Sequence, residues 1–229
     1  MTEIRRLIYV PILHAQESSA KKGSPLPTAK IGEPKNRSES EVSAVDAMWE
    51  GIAAKIEALN LPWKKVRIFQ DGTPVCGNEL ELAMRLARSG SSSHSFILDL
   101  VEQGAKIEGT ENLDLLIREY DLLSQLLTKT NVADQKAANL EYQTKSRHLL
   151  ALRDEFIFNR ITGTLEKGEV ALVFMGVMHR LDKLLEKNFL VSYVIYRLPF
   201  RSVGSTESDV RQYPPHKAKA VTVIQIKLG

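Results

Sequence analysis

Cysteine and long apolar runs are almost absent from this chain of 229 residues. The one cysteine, Cys76, excludes a disulfide framework and a multi-thiolate zinc site within a single chain. The longest uninterrupted apolar stretches, such as Val170–Phe174, are far shorter than the roughly 20 residues that a membrane span needs. No signal peptide is predicted, since the apolar run after Arg5 and Arg6 contains Pro11 and no small-residue cleavage site follows closely. We therefore expect a cytoplasmic protein without a membrane-spanning segment.

The net charge of the chain is also small. The 31 Lys and Arg residues nearly balance the 28 Asp and Glu residues, which leaves a formal net charge of +3. A nucleic-acid surface needs a clear, clustered excess of basic residues, so we exclude nucleic acid as a partner. The remaining composition, 43% hydrophobic and 26% charged, is typical of an ordinary globular protein, and the length suggests one domain.

Several sequence motifs of common enzyme classes are missing. The chain has no Gly-x-x-x-x-Gly-Lys-Ser/Thr phosphate loop, no Gly-x-Gly-x-x-Gly, no His-Glu-x-x-His and no Gly-x-Ser-x-Gly. These absences argue against a P-loop nucleotide enzyme, a dinucleotide-dependent enzyme, a zincin metalloprotease and a typical serine hydrolase.

The pattern of apolar residues predicts an α/β fold. Six segments are typical of buried strands: Ile4–Leu13, Val66–Gln70, Ala105–Glu108, Val170–Met175, Val191–Tyr196 and Val221–Leu228. Helical patterns alternate with them: a helix with Ser43 as its N-cap that ends at Pro62, then Glu79–Arg88, Ser93–Gln103, Leu113–Thr128, Ala138–Glu166 (with Gly168 as a C-cap) and His179–Glu186. This alternation predicts a single domain over residues 1–229, with a largely parallel or mixed central sheet flanked by helices.

Two polar segments interrupt this pattern, residues 16–42 and 201–219. Both contain proline and have few large apolar residues, so we predict a loop at each. The first is longer than ordinary connections in a compact domain, and loops of that length are usually functional flaps or disordered insertions.

Two strand ends carry a histidine. His14 follows the first predicted strand, and His179 follows the strand that begins at Val170. Ligands of parallel α/β sheets bind at the carboxyl ends of the strands, so the two imidazoles could share a metal ion or act as an acid–base pair. Alternatively, each histidine merely hydrogen-bonds at the end of its strand. The other histidines, such as His94 and His148, are expected at the surface.

Carboxylates occur in the same setting. Glu17 lies three residues beyond His14, and Glu111 follows the third predicted strand. A carboxylate there could complete a site with two histidines or act as a general base. Alternatively, Glu111 is simply an acidic group near the start of the next helix, where the helix dipole favours it.

The long helix carries an arginine on its apolar face. Leu149 and Ile157 lie within about 40° of Arg153 on a helical wheel, and Arg160 lies within about 20° of it. Because arginine is almost never buried without a partner, Arg153 is expected to reach an anionic group. That group is either a carboxylate in a buried ion pair or an anion that develops during a reaction.

Four short motifs resemble those of one superfamily, which includes the erythromycin esterases, the TraB and Tiki-type proteins and the ChaN-like iron-regulated proteins: Pro11–His14, Gly109–Glu111, Arg153–Asp154 and Gly176–His179. The first departs from the pattern, since Pro11 stands where the family has glycine. The resemblance implies an α/β fold with its site at the strand ends. Members are described as hydrolases, some of them metal-dependent, and the ChaN-like branch is associated with haem binding.

Roles carried over from this resemblance agree with those argued from the strand ends. His14 and His179 would be metal ligands or acid–base groups, Glu111 a ligand or base, and Arg153 would orient Glu111 or stabilise an oxyanion. We therefore predict a hydrolase with the catalytic residues His14, Glu111, Arg153 and His179, in which His14, Glu111 and His179 could hold a divalent metal ion.

The predicted substrate is a small molecule or a peptide. Two other functions remain open: a non-catalytic protein that binds haem or another ligand in the same pocket, and a structural or partner-binding protein with a relict site. A homo-oligomer is also open, because the terminal strand Val221–Leu228 could pair across a dimer.

Overall fold

The computed structural model describes residues 5–12, 39–128, 132–186 and 188–196, and of residues 39–45, 127, 132–136 and 182 it describes the backbone alone. Over these ranges the elements are, in chain order, β1 (Arg5–Ile12), α1 (Glu39–Glu57), β2 (Val66–Gln70), α2 (Glu79–Arg88), α3 (Ser92–Glu102), β3 (Lys106–Glu108), α4 (Leu113–Leu127), α5 (Val132–Thr164), β4 (Val170–Gly176), α6 (Asp182–Leu185) and β5 (Phe189–Tyr193).

The five strands form one sheet in the order β3-β2-β4-β1-β5, and every neighbouring pair is parallel. This confirms the predicted α/β class, and over the described residues the sheet is entirely parallel. Gln70 of β2 is in register with Phe174 of β4, and Ile12 of β1 is in register with Gly176 of β4. The carboxyl ends of these three strands therefore meet at one edge of the sheet.

Strand β4 is the centre of the fold, and all seven of its residues are buried. Its side chains alternate between two apolar clusters, one on each face of the sheet. Leu172 and Phe174 pack with residues of α1 and α3, whereas Val173 and Met175 pack with residues of α5 and α6. Helices thus cover both faces, which explains why the strand is apolar along its whole length.

Helix α1 begins earlier than the sequence pattern predicted. Its backbone is helical from Glu39, so the last residues of the predicted loop 16–42 belong to the helix, and Ser43 lies inside the helix instead of capping it. Residues 16–38 lie outside the described part of the chain.

Other predicted boundaries were also wrong, and helix α5 begins at Val132 instead of Ala138. Helix α5 ends at Thr164, and Gly168 lies in the following turn with a φ of 77°, a left-handed conformation that suits glycine. The predicted helix His179–Glu186 is only the single turn α6, so His179 precedes it in a loop. Strand β5 begins at Phe189, two residues before the predicted start.

Some predicted features fall outside the described residues: His14, Glu17, the loop 201–219 and the strand Val221–Leu228. The strand before His14 is described, and β1 is a parallel neighbour of β4, as a site shared by His14 and His179 would require. Within the described ranges, no helix is both long enough and apolar enough to cross a membrane.

Candidate functional site

Three ionisable side chains meet where three strands end. Asp71 directly follows β2, Glu111 lies three residues beyond β3, and His179 lies three residues beyond β4. All three are buried, and one ligand atom from each lies within 4.8 Å of the others. The strands β3, β2 and β4 lie side by side in the sheet and run parallel, so the residues that follow them meet at the same edge. We call Asp71, Glu111 and His179 the strand-end triad.

Arg153 of α5 joins the triad from the helical layer. Its Nη2 donates to Asp71 Oδ1 at 2.7 Å and to Glu111 Oε1 at 2.5 Å, and its Nε donates to Glu111 Oε2 at 3.2 Å. Its Nη1 donates to Glu119 of α4. Arg153 is only 6% exposed and forms buried ion pairs with Asp71 and Glu111, which was one of the two alternatives for this arginine.

His179 is held between two carboxylates. Its Nδ1 lies 2.6 Å from Asp154 Oδ1, and its Nε2 lies 3.2 Å from Asp71 Oδ2. The other oxygen of Asp154 accepts a hydrogen bond from the backbone N–H of Arg180 at 3.0 Å. Burial opposes protonation of the imidazole, but the hydrogen bonds to Asp154 and Asp71 outweigh it and raise the pKa of His179 to about 9.

Glu111 is completely buried, with 0% exposure. Burial raises the pKa of its carboxyl group to about 7, although the charge and hydrogen bonds of Arg153 favour the ionised form. A carboxyl group whose pKa lies near neutrality can both accept and donate a proton under physiological conditions.

Among the described residues, the cluster around Arg153 and His179 contains more acidic than basic groups. Four carboxyl groups, from Asp71, Glu111, Glu119 and Asp154, contact two cationic groups, those of Arg153 and His179. Glu119 is partly exposed, so water offsets part of its charge. Glu111 is the most buried of the four, and its burial favours the protonated form.

Backbone hydrogen bonds fix the loops that carry the triad. The N–H of Asp71 donates to Phe174 O at 2.9 Å, and Asp71 Oδ2 accepts from the N–H of Gly176 at 3.0 Å. The N–H groups of Thr110 and Glu111 both donate to Thr73 O at 2.9 Å. The loops after β2, β3 and β4 therefore hold one another in place, and the triad has a defined geometry before any ligand binds.

Gly109 allows the loop after β2 to pass close to β3. A Cβ atom at this position would lie 2.6 Å from the Cα of Val75 and 2.7 Å from Glu79 Oε1. Such distances are far below van der Waals contact, so a side chain here would displace the loop. Because Glu111 lies two residues away, the absence of a side chain at Gly109 helps to position the triad.

The structure brings three of the four predicted catalytic residues together, namely Glu111, Arg153 and His179. The fourth, His14, lies outside the described residues. Arg160, which shares the helix face of Arg153, turns away from the triad: its Nε donates to Gly109 O at 3.1 Å, and its side chain is 32% exposed. Glu111 contacts Arg153 and does not merely occupy the start of the next helix, whose N-cap is Asn112.

Sequence analysis missed Asp71 and Glu119, named Asp154 only within a motif, and misplaced one histidine. Asp71 lies in an Asp-Gly dipeptide, which is typical of a turn, although its position directly after a buried strand could have identified it. Glu119 offered no such indication, because one acidic residue on an amphipathic helix is ordinary. His94, expected at the surface, is only 4% exposed, and its Nδ1 lies 2.7 Å from Ser91 Oγ.

Comparisons with known proteins give no relative for this chain. No protein-family model matches it, and neither a curated protein nor a solved structure matches it significantly. The resemblance of its short motifs to the erythromycin esterase, TraB–Tiki and ChaN-like superfamily therefore stays a prediction.

Proposed function

We propose that the protein is a hydrolase whose active site is the strand-end triad, and that the triad holds a divalent metal ion. One observation carries this proposal: three buried residues, Asp71, Glu111 and His179, each offer a ligand atom within 4.8 Å of the others. A divalent cation would offset the charge of the two carboxylates. The proposal replaces the predicted ligand set of His14, Glu111 and His179 with one that includes Asp71.

The residues present fit a metal ion. Ligand atoms bound at about 2.0–2.2 Å in a tetrahedral zinc site lie ~3.3–3.6 Å apart, and His179 Nε2 and Asp71 Oδ2 are separated by 3.2 Å. Asp154 binds Nδ1 of His179, the usual arrangement in which a carboxylate orients a metal-binding histidine. Binding would require the loss of the Nε2 proton. One imidazole and two carboxylates suit zinc, manganese or ferrous iron.

A metal ion in this position would polarise a carbonyl group and lower the pKa of a bound water molecule. The protein's own groups have separate tasks. As a ligand, Glu111 would be held in its ionised form by the ion, so its pKa of about 7 applies to the site without a metal. The Nε, Nη1 and Nη2 atoms of Arg153 all donate hydrogen bonds to carboxylates. Arg153 is therefore better suited to orient Asp71 and Glu111 than to contact an oxyanion.

Haem binding has less support. Pockets for large organic ligands are mostly apolar. The imidazole of His179, in contrast, lies between Asp71 and Asp154 and beside the cationic Arg153. The partner-binding interpretation, the cytoplasmic location and the homo-oligomer stay predictions from the sequence.

The proposal is tested by metal analysis together with a hydrolysis screen. The purified chain, loaded with zinc or manganese and dialysed, is expected to retain about one ion per chain and to hydrolyse a member of a panel of esters and amides. Asp71→Asn and His179→Asn should lose both properties. The matched control is Asp99→Asn on the exposed surface of α3, which should change neither. A wild-type chain that retains no metal would overturn the proposal.

A further inference from the structure

One buried side chain at the end of β2 lacks a hydrogen-bond partner. Gln70, the last residue of this strand, is only 3% exposed, yet its Oε1 accepts no hydrogen bond within the described part of the chain. Buried polar groups are nearly always paired, because an unpaired one is costly in free energy. This oxygen is therefore available to a donor group that the described residues do not supply.

The side chain of Gln70 points toward the first turn of α3. Side chains alternate along β2, so Gln70 lies on the same face of the sheet as Ile68, and α3 covers this face. Phe174 of β4 is in register with Gln70, and its ring packs edge-on against Phe96 of α3, with the ring centroids 6.2 Å apart. Because α3 leads directly into β3, its first turn lies toward the edge at which β2 ends. Ser93 in that turn therefore lies one turn beyond Phe96, on the side of Gln70.

The first turn of α3 has hydrogen-bond donors without acceptors. Ser91 is the N-cap residue, and a serine there usually accepts a hydrogen bond from an N–H group of the first turn. Its side chain makes no such bond, and its Oγ lies instead 2.7 Å from His94 Nδ1 and 3.0 Å from Ser93 Oγ. Among the described residues, no acceptor is found for the N–H groups of Ser92, Ser93 and His94. An unpaired acceptor on the strand thus faces unpaired donors on the helix.

The charged groups around the start of α3 favour a neutral ligand. Ser92 Oγ donates to Asp46 Oδ1 of α1 at 2.5 Å, so a carboxylate already lies beside the helix N-terminus, where an anion would otherwise bind. Burial lowers the pKa of His94 to about 4, so this imidazole is neutral near pH 7 and adds no positive charge. A neutral group with both a donor and an acceptor suits these surroundings.

We infer that Gln70 and the first turn of α3 bind a carboxamide group, which comes either from a primary amide or from a peptide bond. The N–H of the ligand donates to Gln70 Oε1, and its carbonyl oxygen accepts from the N–H groups of α3. Two amides are complementary, because each has an N–H donor and a C=O acceptor. Helix α3 covers the face of the sheet opposite to α5, so the inference does not rest on the proposed function of the strand-end triad.

The test is titration of the full chain with propionamide, N-methylpropionamide, N,N-dimethylpropionamide and propionate. Binding is followed by NMR through the ring protons of His94, which belongs to the first turn of α3. Propionamide should shift these signals saturably, and the N-methyl compound shows whether a secondary amide, as in a peptide bond, also binds. The dimethyl compound has no N–H and propionate is an anion, so both should bind at least about tenfold more weakly.

Gln70→Met keeps the length of the side chain and removes its amide. This variant should lose the shift with propionamide, and its free energy of unfolding in urea should equal or exceed that of the wild type, because an unpaired buried acceptor has been removed. Gln103→Met, at the exposed end of α3, is the matched control and should bind propionamide as the wild type does.

Three results would overturn the inference. The first is the absence of a saturable shift in the wild type, and the second is equal affinity for propionate and propionamide. The third is a loss of stability in Gln70→Met, which would show that Oε1 is already paired in the free protein, as it would be by an internal water molecule.

Discussion

Asp154 Oδ1 and His179 Nδ1 lie 2.6 Å apart, and this contact links helix α5 to the loop that follows β4. Both groups are buried, and the second carboxylate oxygen of Asp154 is bound by the N–H of Arg180. The carboxylate thus fixes both the ring orientation and the backbone next to it. In the proposed metal site, Asp154 would therefore act through His179, as a positioning residue.

Replacement of Asp154 by Asn should lower the affinity for zinc by about 10–100-fold, the range typical of a lost carboxylate partner of a metal-binding histidine. Competition with a chromogenic chelator measures the change. Glu155→Gln, the exposed neighbour on the same helix, is the control and should bind zinc as the wild type does. Equal affinity in Asp154→Asn and the wild type would show that the contact does not support a metal site.

Replacement of Arg153 by Met should destabilise the fold by about 3–5 kcal/mol, because the buried Glu111 would lose its ion pair and Asp71 would lose one of its ion pairs. Urea unfolding at pH 7.5 gives the change in the free energy of unfolding. Addition of Glu111→Gln should recover part of the loss, since it removes the buried charge of Glu111. Arg160→Met, whose side chain is 32% exposed, should cost clearly less. Equal losses in the two single variants would contradict the role given to Arg153.

His94 should make the fold sensitive to acid. Burial lowers the pKa of this histidine to about 4, so the folded protein holds it neutral, whereas the unfolded chain protonates it near pH 6.5. Above pH 6.5 the imidazole is neutral in both the folded and the unfolded protein. As the pH falls from 6.5 toward 4, protonation of the unfolded chain lowers the free energy of unfolding, by about 3 kcal/mol in total.

The variant His94→Asn isolates this contribution, since Asn does not titrate and can still hydrogen-bond Ser91. The free energy of unfolding is measured in urea from pH 7.5 to 4.5 for both proteins. The wild type should lose more stability than the variant over this range, and parallel pH profiles would show that His94 is not buried in the neutral form.

Replacement of Gly109 by Ala should destabilise the protein by about 1–3 kcal/mol, because the new methyl group would overlap Val75 and Glu79. The matched control is Gly163→Ala on α5, where nothing beyond the adjacent residues and the helix's own backbone lies within 4 Å of the added Cβ. There the change should be stabilising by up to about 1 kcal/mol, since alanine favours the helix. Thermal unfolding of both variants tests the pair, and a stable Gly109→Ala protein would contradict the close approach of the two loops.

The periodicity of apolar residues was enough to predict the sheet and its helices, and β4 shows why. A strand covered on both faces must be apolar throughout, and few other elements have that composition. Residues Glu39–Val42 were mistaken for a loop because polar residues near a helix start look much like those of a flexible segment. The helical hydrogen bonds of the backbone continue through these residues, and amino-acid composition alone does not reveal this.

The site was predictable only in part. Periodicity placed Arg153 on an apolar face, and strand ends drew attention to Glu111 and His179. The identity of their partners depends on strand order, which brings β3 beside β2 and β2 beside β4 although β4 comes much later in the chain. Asp71 follows a buried strand, as Glu111 and His179 do, but the strand order is needed to place it beside them. His14, by the same reasoning, stays a prediction, since the structure does not describe it.

The late position of β4 in the chain has a consequence for synthesis. Strand β4 pairs with both β1 and β2, so neither can complete its hydrogen bonds until residue 176 has been made. A growing chain that has not reached this point carries two apolar strands with open edges, which are sites for pairing with other chains. We therefore expect fragments that end before β4 to aggregate, and a ribosome-bound chain to depend on chaperones until its central strand emerges.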